Sequence, residues 1–323
     1  MLARIGQATA DRRYPRGWIS VATVALRALS RASAPVVAPI ARWGIGAEYS
    51  LRRGFLPVPL HYYQPIFDAE AIPESVWERK HDLPGIDFNE RGQLELLREL
   101  ARFGPECSWP ERASSGYYAQ NGTFGYSSAA LLHAMIRHFA PGRLIEVGAG
   151  MSTLLIRSAL ELNGAGLLTT IDPNPREQVR DLPERSEIIA EPVERMPVEV
   201  FEGLERNDML FIDSSHVVRT GGDVNYLYLD VLPRLAPGVI VHIHDIQLPY
   251  EYHKAYSTRR NAPRLFWTEQ YLLQAFLTHN PRWEILLAGY WAQREQPDLF
   301  QAAFPHWRPD AHRLTTSFYM RAR

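Results

Sequence analysis

Carboxylates and imidazoles follow two apolar stretches of the chain, an arrangement typical of a site that does chemistry. The stretch DMLFIDSSH contains Asp213 and His216 in its second half, and GVIVHIHDI contains His242, His244 and Asp245 in its second half. If both stretches form neighbouring parallel strands, their carboxyl ends share one edge of the sheet, and alternation places His242 and His244 on one face. Carboxylate oxygens favour Mg²⁺ or Mn²⁺, whereas imidazole nitrogen shifts the preference toward zinc or iron. The pattern therefore suits a divalent metal.

The histidines of this pattern fit different roles. We interpret His242 as a hydrogen-bonded histidine of the core. The ordinary pKa of His216 lies near neutrality, as a general base requires, although a purely structural role fits the sequence equally well. His216 and Asp213 are our candidates for catalytic residues. A metal at Asp213 and Asp245 is the alternative, because it would acidify a hydroxyl directly.

A glycine turn follows another apolar stretch, in RLIEVGAGMST. Gly148 and Gly150 allow a tight turn, but Thr153 stands where a dinucleotide-binding turn has its third glycine. Glu146 precedes the turn and suits a cationic ligand. Asp172 lies 24 positions after Gly148, about where an acidic residue binds ribose hydroxyls. A ligand with a ribose and a positive charge but no phosphate fits both, and S-adenosylmethionine is such a ligand.

Alternating strand and helix patterns position these residues. The predicted strands are RLIEV, LLTTI, SEIIA, DMLFI, GVIVHI, WEILLAG and TSFYM, and the predicted helices include YSSAALLHAMIRHF and STLLIRSALEL. Continuous apolar strands separated by helices indicate a doubly wound, mostly parallel α/β sheet. The last two strands show no clear helix between them, which predicts a closing antiparallel hairpin. Glu191 follows the third strand, and we expect it either to approach an adenine or to be solvated.

These motifs resemble those of class I S-adenosylmethionine-dependent methyltransferases. The matching pieces are IEVGAGMST, TTIDPNP, DMLFIDSSH and PGVIVHIHDI, within residues 116–323. The ending PGVIVHIHDIQLPYEY is most similar to a bacterial branch near the macrolide and sugar O-methyltransferases. The resemblance implies a seven-stranded Rossmann-like sheet, S-adenosylmethionine as cofactor, and O-methylation of a hydroxylated small molecule or glycan.

The resemblance also implies ligands for magnesium or manganese. Such O-methyltransferases often use an acidic residue after the fourth strand and an acidic pair after the fifth. Asp213 and Asp245 match that pattern, and His244 stands where the pair would have its other carboxylate. The expected metal ligands are therefore Asp213, His244 and Asp245, and the expected cofactor-binding residues are Glu146, Gly148, Gly150, Asp172 and Glu191.

The chain divides by composition into three segments. Residues 1–55 form a basic arm with nine arginines against Asp11 and Glu48, and residues 56–115 are rich in proline and aromatics with a helix at RGQLELLRELARF. We expect the second segment to be a helical lead-in or a lid, followed by the methyltransferase domain at 116–323. The arm is either a solvated extension or a surface for an anionic membrane.

Composition limits the function classes. A formal net charge of −1 gives no reason to expect nucleic acid as partner. One cysteine, Cys107, excludes an intramolecular disulfide and indicates a reducing, cytoplasmic location. We expect no transmembrane helix, and the sequence does not specify an oligomeric state. Two alternatives stay open: an NAD-linked sugar oxidoreductase, and a non-catalytic binding protein that keeps the methyltransferase fold.

Overall fold

The structure is a computed structural model that describes residues 16–113, 116–179, 185–259 and 262–323. The chain divides into two compact units, residues 1–72 and residues 73–323. The boundary between the two units matches neither of the two segment boundaries expected from composition, at 55/56 and 115/116. The three expected segments stay a prediction.

The second unit is built on one seven-stranded sheet. Its strands are β1 (Arg143–Val147), β2 (Leu167–Ile171), β3 (Ser186–Ile189), β4 (Met209–Ile212), β5 (Ile240–Ile243), β6 (Trp283–Ala288) and β7 (Phe318–Ala322). The order is β3-β2-β1-β4-β5-β7-β6, and β7 runs antiparallel to both of its neighbours. All seven predicted strands are present, so the predicted doubly wound, mostly parallel fold is confirmed.

Helices flank this sheet. They are α3 (Glu74–Trp77), α4 (Glu90–Leu100), α5 (Tyr126–Phe139), α6 (Met151–Asn163), α7 (Glu199–Glu202), α8 (Asp223–Tyr226), α9 (Glu269–Leu277), α10 (Gly289–Glu295) and α11 (Pro297–Ala303). The predicted helices at RGQLELLRELARF, YSSAALLHAMIRHF and STLLIRSALEL correspond to α4, α5 and α6. The expected hairpin between the last two strands is wrong in one respect, because α10 and α11 lie between β6 and β7. Pro297 separates these helices, and each is too short to show a clear helical period.

The lead-in helix α4 is hydrogen-bonded to β6, an edge strand of the sheet. Gln93 is fully buried, and its Oε1 accepts a hydrogen bond of 2.7 Å from the backbone N–H of Ala288. Its Nε2 donates to the carbonyl of Phe88, and Asn89 donates to the carbonyl of Ile285 at 3.0 Å. Because a buried N–H without a partner is costly, these bonds make α4 an integral part of the unit.

The described part of the first unit contains α1 (Arg16–Trp43) and α2 (Ala47–Leu51). Pro35 and Pro39 lie inside α1. Among the described helices, none combines the length and the apolar character that a transmembrane span requires.

The contacts of α4 generate a prediction about stability. Gln93→Ala should lower the free energy of unfolding by about 1–3 kcal/mol, because it leaves the N–H of Ala288 and the carbonyl of Phe88 without partners. Urea denaturation measures the change. Glu95→Ala on the same helix is the control, because Glu95 makes only an exposed ion pair with Arg91 and should cost about 0.5 kcal/mol or less. Equal, small effects of both substitutions would contradict this role for α4.

Candidate functional site

The glycine turn lies where the strand order of the sheet reverses, between β1 and β4. Ligands of open α/β sheets bind at this point, beyond the carboxyl ends of the strands. Gly148 has φ +95°, and a Cβ there would overlap the carbonyl oxygen of Asp213 at the end of β4. Its N–H donates to the carbonyl of Ile171 at 2.9 Å. Glycine is therefore required at 148 by its conformation and by the close approach of the neighbouring strand.

Thr153 and Asp172 hold the rest of the turn. The backbone N–H of Gly150 donates to Oγ1 of the buried Thr153 at 3.0 Å, so the hydroxyl satisfies a donor of the turn. Asp172 accepts hydrogen bonds from the N–H of Ala149 at 2.7 Å and of Asn174 at 2.6 Å. These side chains fix the turn without a third glycine.

Glu146, in β1, holds the glycine turn through side-chain hydrogen bonds. It is fully buried, and its two oxygens accept hydrogen bonds from Ser152 at 2.7 Å and from Thr170 at 2.9 Å. Burial raises the pKa of Glu146 to about 8, against the lowering effect of its hydroxyl donors. A carboxyl group that is neutral at pH 7 does not act as a counter-ion, so the structure favours an anchoring role over the expected contact with a cationic ligand.

A cavity of about 150 Å³ opens at this turn. Its walls include Gly148, Gly150, Asp172 and Asp213, three of which we expected to bind the cofactor. Glu191 is exposed and lies 3.9 Å from Arg195, away from these walls. Its contact with an adenine stays a prediction.

The carboxylates and imidazoles expected at the sheet edge meet around His216. Its Nε2 lies 3.3 Å from Oδ1 of Asp213 and 3.5 Å from Oδ2 of Asp245, while its Nδ1 lies 2.7 Å from Oε2 of Glu269. The donor atoms of Asp213, His216 and Asp245 all lie within 4.8 Å of one another. The arrangement thus points one imidazole nitrogen at two carboxylates and the other nitrogen at a third.

The first turn of α9 positions His216. The carbonyl of His216 accepts hydrogen bonds from the N–H groups of Thr268 and Glu269 at 2.9 and 3.2 Å, and Trp267 packs against its ring with centroids 4.7 Å apart. His216 has φ +60°, a conformation that few residues other than glycine adopt and that often occurs at functional sites. Glu269 was not predicted from the sequence as part of the site, because an acidic residue in the first turn of a helix is common and indicates no function.

His244 lies at the rim of the cluster. Its Nε2 is 3.8 Å from Oδ1 of Asp245, and its ring packs against Phe124 with centroids 4.8 Å apart. Asp245 leaves the strand with φ +56° and accepts a hydrogen bond from Thr316 at 2.9 Å. The structure therefore places His216, rather than the expected His244, among the three closest potential donors.

His242 belongs to the core, as interpreted from the sequence. It is fully buried between Tyr319 and Phe211, with ring centroids 4.2 and 4.4 Å away. The expected hydrogen bond is not found, because neither ring nitrogen has a partner among the described residues. Burial and the nearby His244 lower the pKa of His242 well below its usual value.

The surrounding carboxylates favour the protonated form of His216. Burial alone would lower the pKa of His216, but its hydrogen bonds to Asp213 and Glu269 raise it well above the usual value. The pKa of Asp213 is lowered: burial acts to raise it, and the His244 and His216 imidazoles outweigh that effect. Burial raises the pKa of Glu269, against the effect of His216. A protonated imidazole cannot accept a proton, so this arrangement disfavours the general-base role expected for His216.

A second cavity, of about 300 Å³, is lined in part by Asp245 of the cluster. Its polar walls include His244, Asp245, Tyr256, His312 and Thr316. Thr123 lines both this cavity and the one at the glycine turn. Since Asp213 lines the first cavity and Asp245 the second, the cluster connects two neighbouring binding spaces.

Known proteins are similar to parts of this chain. Residues 145–246 match a family model described as a methyltransferase domain, which confirms the resemblance seen in the motifs. An uncharacterized protein of Archaeoglobus fulgidus is 28% identical over 163 residues, which are 46% of this chain and 74% of that protein.

Solved structures with a similar fold include two O-methyltransferases. TomG of Streptomyces achromogenes, involved in tomaymycin synthesis and solved with S-adenosylmethionine, is 15% identical over 73% of this chain and 91% of its own, with a TM-score of 0.39. An enzyme of Bacillus cereus solved with S-adenosylhomocysteine is 14% identical over 71% and 91%, with a TM-score of 0.37. Likenesses this weak identify no substrate.

The protonation of Glu146 generates a prediction. Its pKa is raised from 4.5 to about 8, so between these values the folded chain holds a proton that the unfolded chain has lost. The stability of the wild type should therefore fall as the pH rises, by up to about 1.4 kcal/mol per pH unit from this group. Glu146→Gln keeps both hydroxyl partners and lacks the titration, so its advantage over the wild type should grow between pH 5.5 and 7.5 in urea denaturation. Parallel pH dependences would instead mean that Glu146 is ionised in the folded protein.

Proposed function

We propose that this protein is an S-adenosylmethionine-dependent O-methyltransferase that uses a divalent metal. One observation carries the proposal: the cluster of Asp213, His216 and Asp245 connects the cavity at the glycine turn with a second polar cavity. Two substrates whose reacting atoms must meet need such an arrangement. The cofactor occupies the first cavity in this proposal, and the methyl acceptor occupies the second.

The walls of the first cavity suit the cofactor. Gly148 and Gly150 leave room for close approach to the backbone, and Asp172 keeps lone pairs free for ribose hydroxyls beyond its two backbone donors. The carboxylate of Asp213 faces the same space and its pKa is lowered, so it supplies the negative charge that a sulfonium favours. Asp213 thus takes the role that we expected from Glu146.

Methyl transfer between the two cavities needs little covalent chemistry from the protein. An acceptor oxygen attacks the methyl carbon, the carbon–sulfur bond breaks, and the positive sulfonium becomes a neutral thioether, while the hydroxyl proton passes to the carboxylate of Asp245, which lines the acceptor cavity. Holding the oxygen in line with the methyl group supplies much of the rate, since effective molarities of about 10⁵ M or more are known for such positioning. The walls shared through Thr123 keep the two reactants adjacent.

The donor set fits magnesium or manganese. Ligands with bonds of about 2.1 Å stand roughly 3 Å apart at adjacent octahedral corners, and Nε2 of His216 lies 3.3 and 3.5 Å from the oxygens of Asp213 and Asp245. A bound metal would displace the proton from Nε2 and would lower the pKa of an acceptor hydroxyl. Glu269 holds Nδ1 and thereby aims Nε2 at the two carboxylates. His244 as a ligand stays a prediction.

The second cavity favours a hydroxylated small molecule or glycan as acceptor. Residues that carry polar side chains line it, among them Ser127, Ser128, Tyr256, His312 and Thr316, so its walls are polar as a hydroxylated substrate requires. No polyanionic partner is proposed. We keep a cytoplasmic location and a peripheral membrane contact through the N-terminal arm as parts of the proposal.

The two alternatives make different predictions for the glycine turn. An NAD-linked oxidoreductase would need room and donors for a pyrophosphate, whereas Thr153 fills the position of the third glycine. A non-catalytic binding protein would have no need of a buried glutamate that aims an imidazole at two carboxylates. Neither alternative is favoured by an observation of the site.

Cofactor binding tests the proposal. We expect S-adenosylhomocysteine to bind in isothermal titration calorimetry, and Asp172→Asn to weaken it at least tenfold, because hydrogen bonds to a charged acceptor contribute about 1.5–3 kcal/mol. Asp298→Asn is the matched control, and its affinity should stay within about twofold since Asp298 is an exposed residue of α11 that does not line the cavity. Binding of NAD without binding of S-adenosylhomocysteine would overturn the proposed function. An equal loss in both variants would contradict the proposed contact between Asp172 and the ribose.

The role of Glu269 predicts an effect on metal affinity. Glu269→Gln should lower the affinity for Mn²⁺ on the order of 10- to 100-fold, as removal of a group that orients a ligating histidine typically does. Titration of metal-free protein with Mn²⁺ measures the change. Glu251→Gln is the control, because Glu251 is also buried but contacts His81 and Tyr271 instead of the cluster. Equal Mn²⁺ affinities in the wild type and both variants would contradict the proposed metal site.

A further inference from the structure

Exposed apolar side chains are concentrated in one short part of the chain. Among the described residues, thirteen of the twenty large apolar side chains that are exposed lie between Leu29 and Phe67. The other seven are scattered over the unit of residues 73–323. Large exposed apolar surfaces of this kind usually mark a site of interaction with a protein or a membrane.

Helix α1 carries part of this surface as a stripe. Leu29, Val36, Ile40 and Trp43 are spaced by seven, four and three residues, so they lie on one side of the helix. Leu29, Val36 and Trp43 are 65%, 64% and 73% exposed. The helix is thus amphipathic, with its apolar side uncovered.

The charges of this region are mostly positive. Arg31 and Arg42 are eleven residues apart, which is three helical turns, and they lie on the side of α1 opposite the apolar stripe. Arg52 and Arg53 follow, and Glu48 is the one acidic residue between positions 28 and 55. Segregated arginines beside an apolar stripe complement a surface that combines negative charge with an apolar interior.

Aromatic residues add a second feature of such a surface. Trp43 and Tyr49 are 73% and 62% exposed, and Tyr62 and Tyr63 are 80% and 79% exposed. Tryptophan and tyrosine collect at the headgroup level of bilayers, because their rings are apolar and each carries one polar group. Four exposed tryptophan and tyrosine side chains within 21 positions favour a segment at the headgroup layer over an ordinary solvated extension.

We propose that residues 28–67 lie in the headgroup layer of an anionic bilayer. The apolar stripe of α1 faces the acyl chains, the aromatic rings sit at headgroup depth, and the arginines bind lipid phosphates. Helix α1 lies in the plane of the membrane, since its arginines and its stripe run along opposite sides of its length. This proposal gives the membrane contact named above its residues and orientation, and because the contact does not depend on methyl transfer, it can fail or succeed separately from the proposed enzymatic activity.

Flotation of the full chain with lipid vesicles tests the proposal. We expect the protein to float with vesicles of phosphatidylcholine mixed with phosphatidylglycerol, and to bind pure phosphatidylcholine far more weakly. The double variant Arg31→Gln/Arg42→Gln should weaken binding to the anionic vesicles on the order of tenfold or more, an effect that salt reduces. Val36→Ser/Trp43→Ser should weaken binding to both kinds of vesicle by a similar factor.

Matched substitutions in the second unit serve as controls. Leu229→Ser and Arg264→Gln also replace exposed side chains and should leave vesicle binding unchanged. Unchanged binding of S-adenosylhomocysteine and an unchanged melting temperature would show that each variant is folded. Absence of flotation, or equal flotation of the arginine variant, would overturn the proposal. A different outcome would assign the stripe to a second copy of the chain: the protein does not float, light scattering shows a dimer, and Val36→Ser/Trp43→Ser abolishes that dimer.

Discussion

The hydrogen bond between Glu269 and Nδ1 of His216 is the interaction on which the site depends. It joins the loop after β4 to the first turn of α9. The carbonyl of His216 also accepts two hydrogen bonds from backbone N–H groups of the same turn. A buried ion pair seldom adds net stability, because desolvation offsets its Coulombic gain. Its effect here is orientation: Nε2 is aimed at Asp213 and Asp245, and the cluster keeps one geometry at the mouth of both cavities.

The topology of the sheet places that cluster beside the cavity at the glycine turn. The strand order reverses between β1 and β4, so the glycine turn of the first strand meets the end of the fourth. Gly148 lies against the carbonyl of Asp213 without room for a side chain. One residue, Asp213, therefore belongs to the wall of the first cavity and to the donor set, and a small change at Gly148 would affect both.

Part of this structure could be predicted from the sequence, and the rest could not, for identifiable reasons. The strands could be predicted because parallel strands covered on both faces are continuously apolar. The proximity of Asp213 and Asp245 could be predicted because they follow the ends of two neighbouring strands. The buried environment of Glu146 was not readable, because its hydroxyl partners come from α6 and β2. Glu269 lies 53 positions from His216, and only the path of the chain between β5 and α9 brings them together.

In the proposed site His216, aimed by Glu269, is the nitrogen ligand of a divalent metal. Electron spin echo spectroscopy of the protein loaded with Mn²⁺ tests this role, because a ligating imidazole nitrogen modulates the echo of the metal. We expect nitrogen modulation in the wild type and in His244→Gln, and its loss in His216→Gln. Modulation that persists in His216→Gln and disappears in His244→Gln, or its absence from the wild type, would show that His216 is not the ligand.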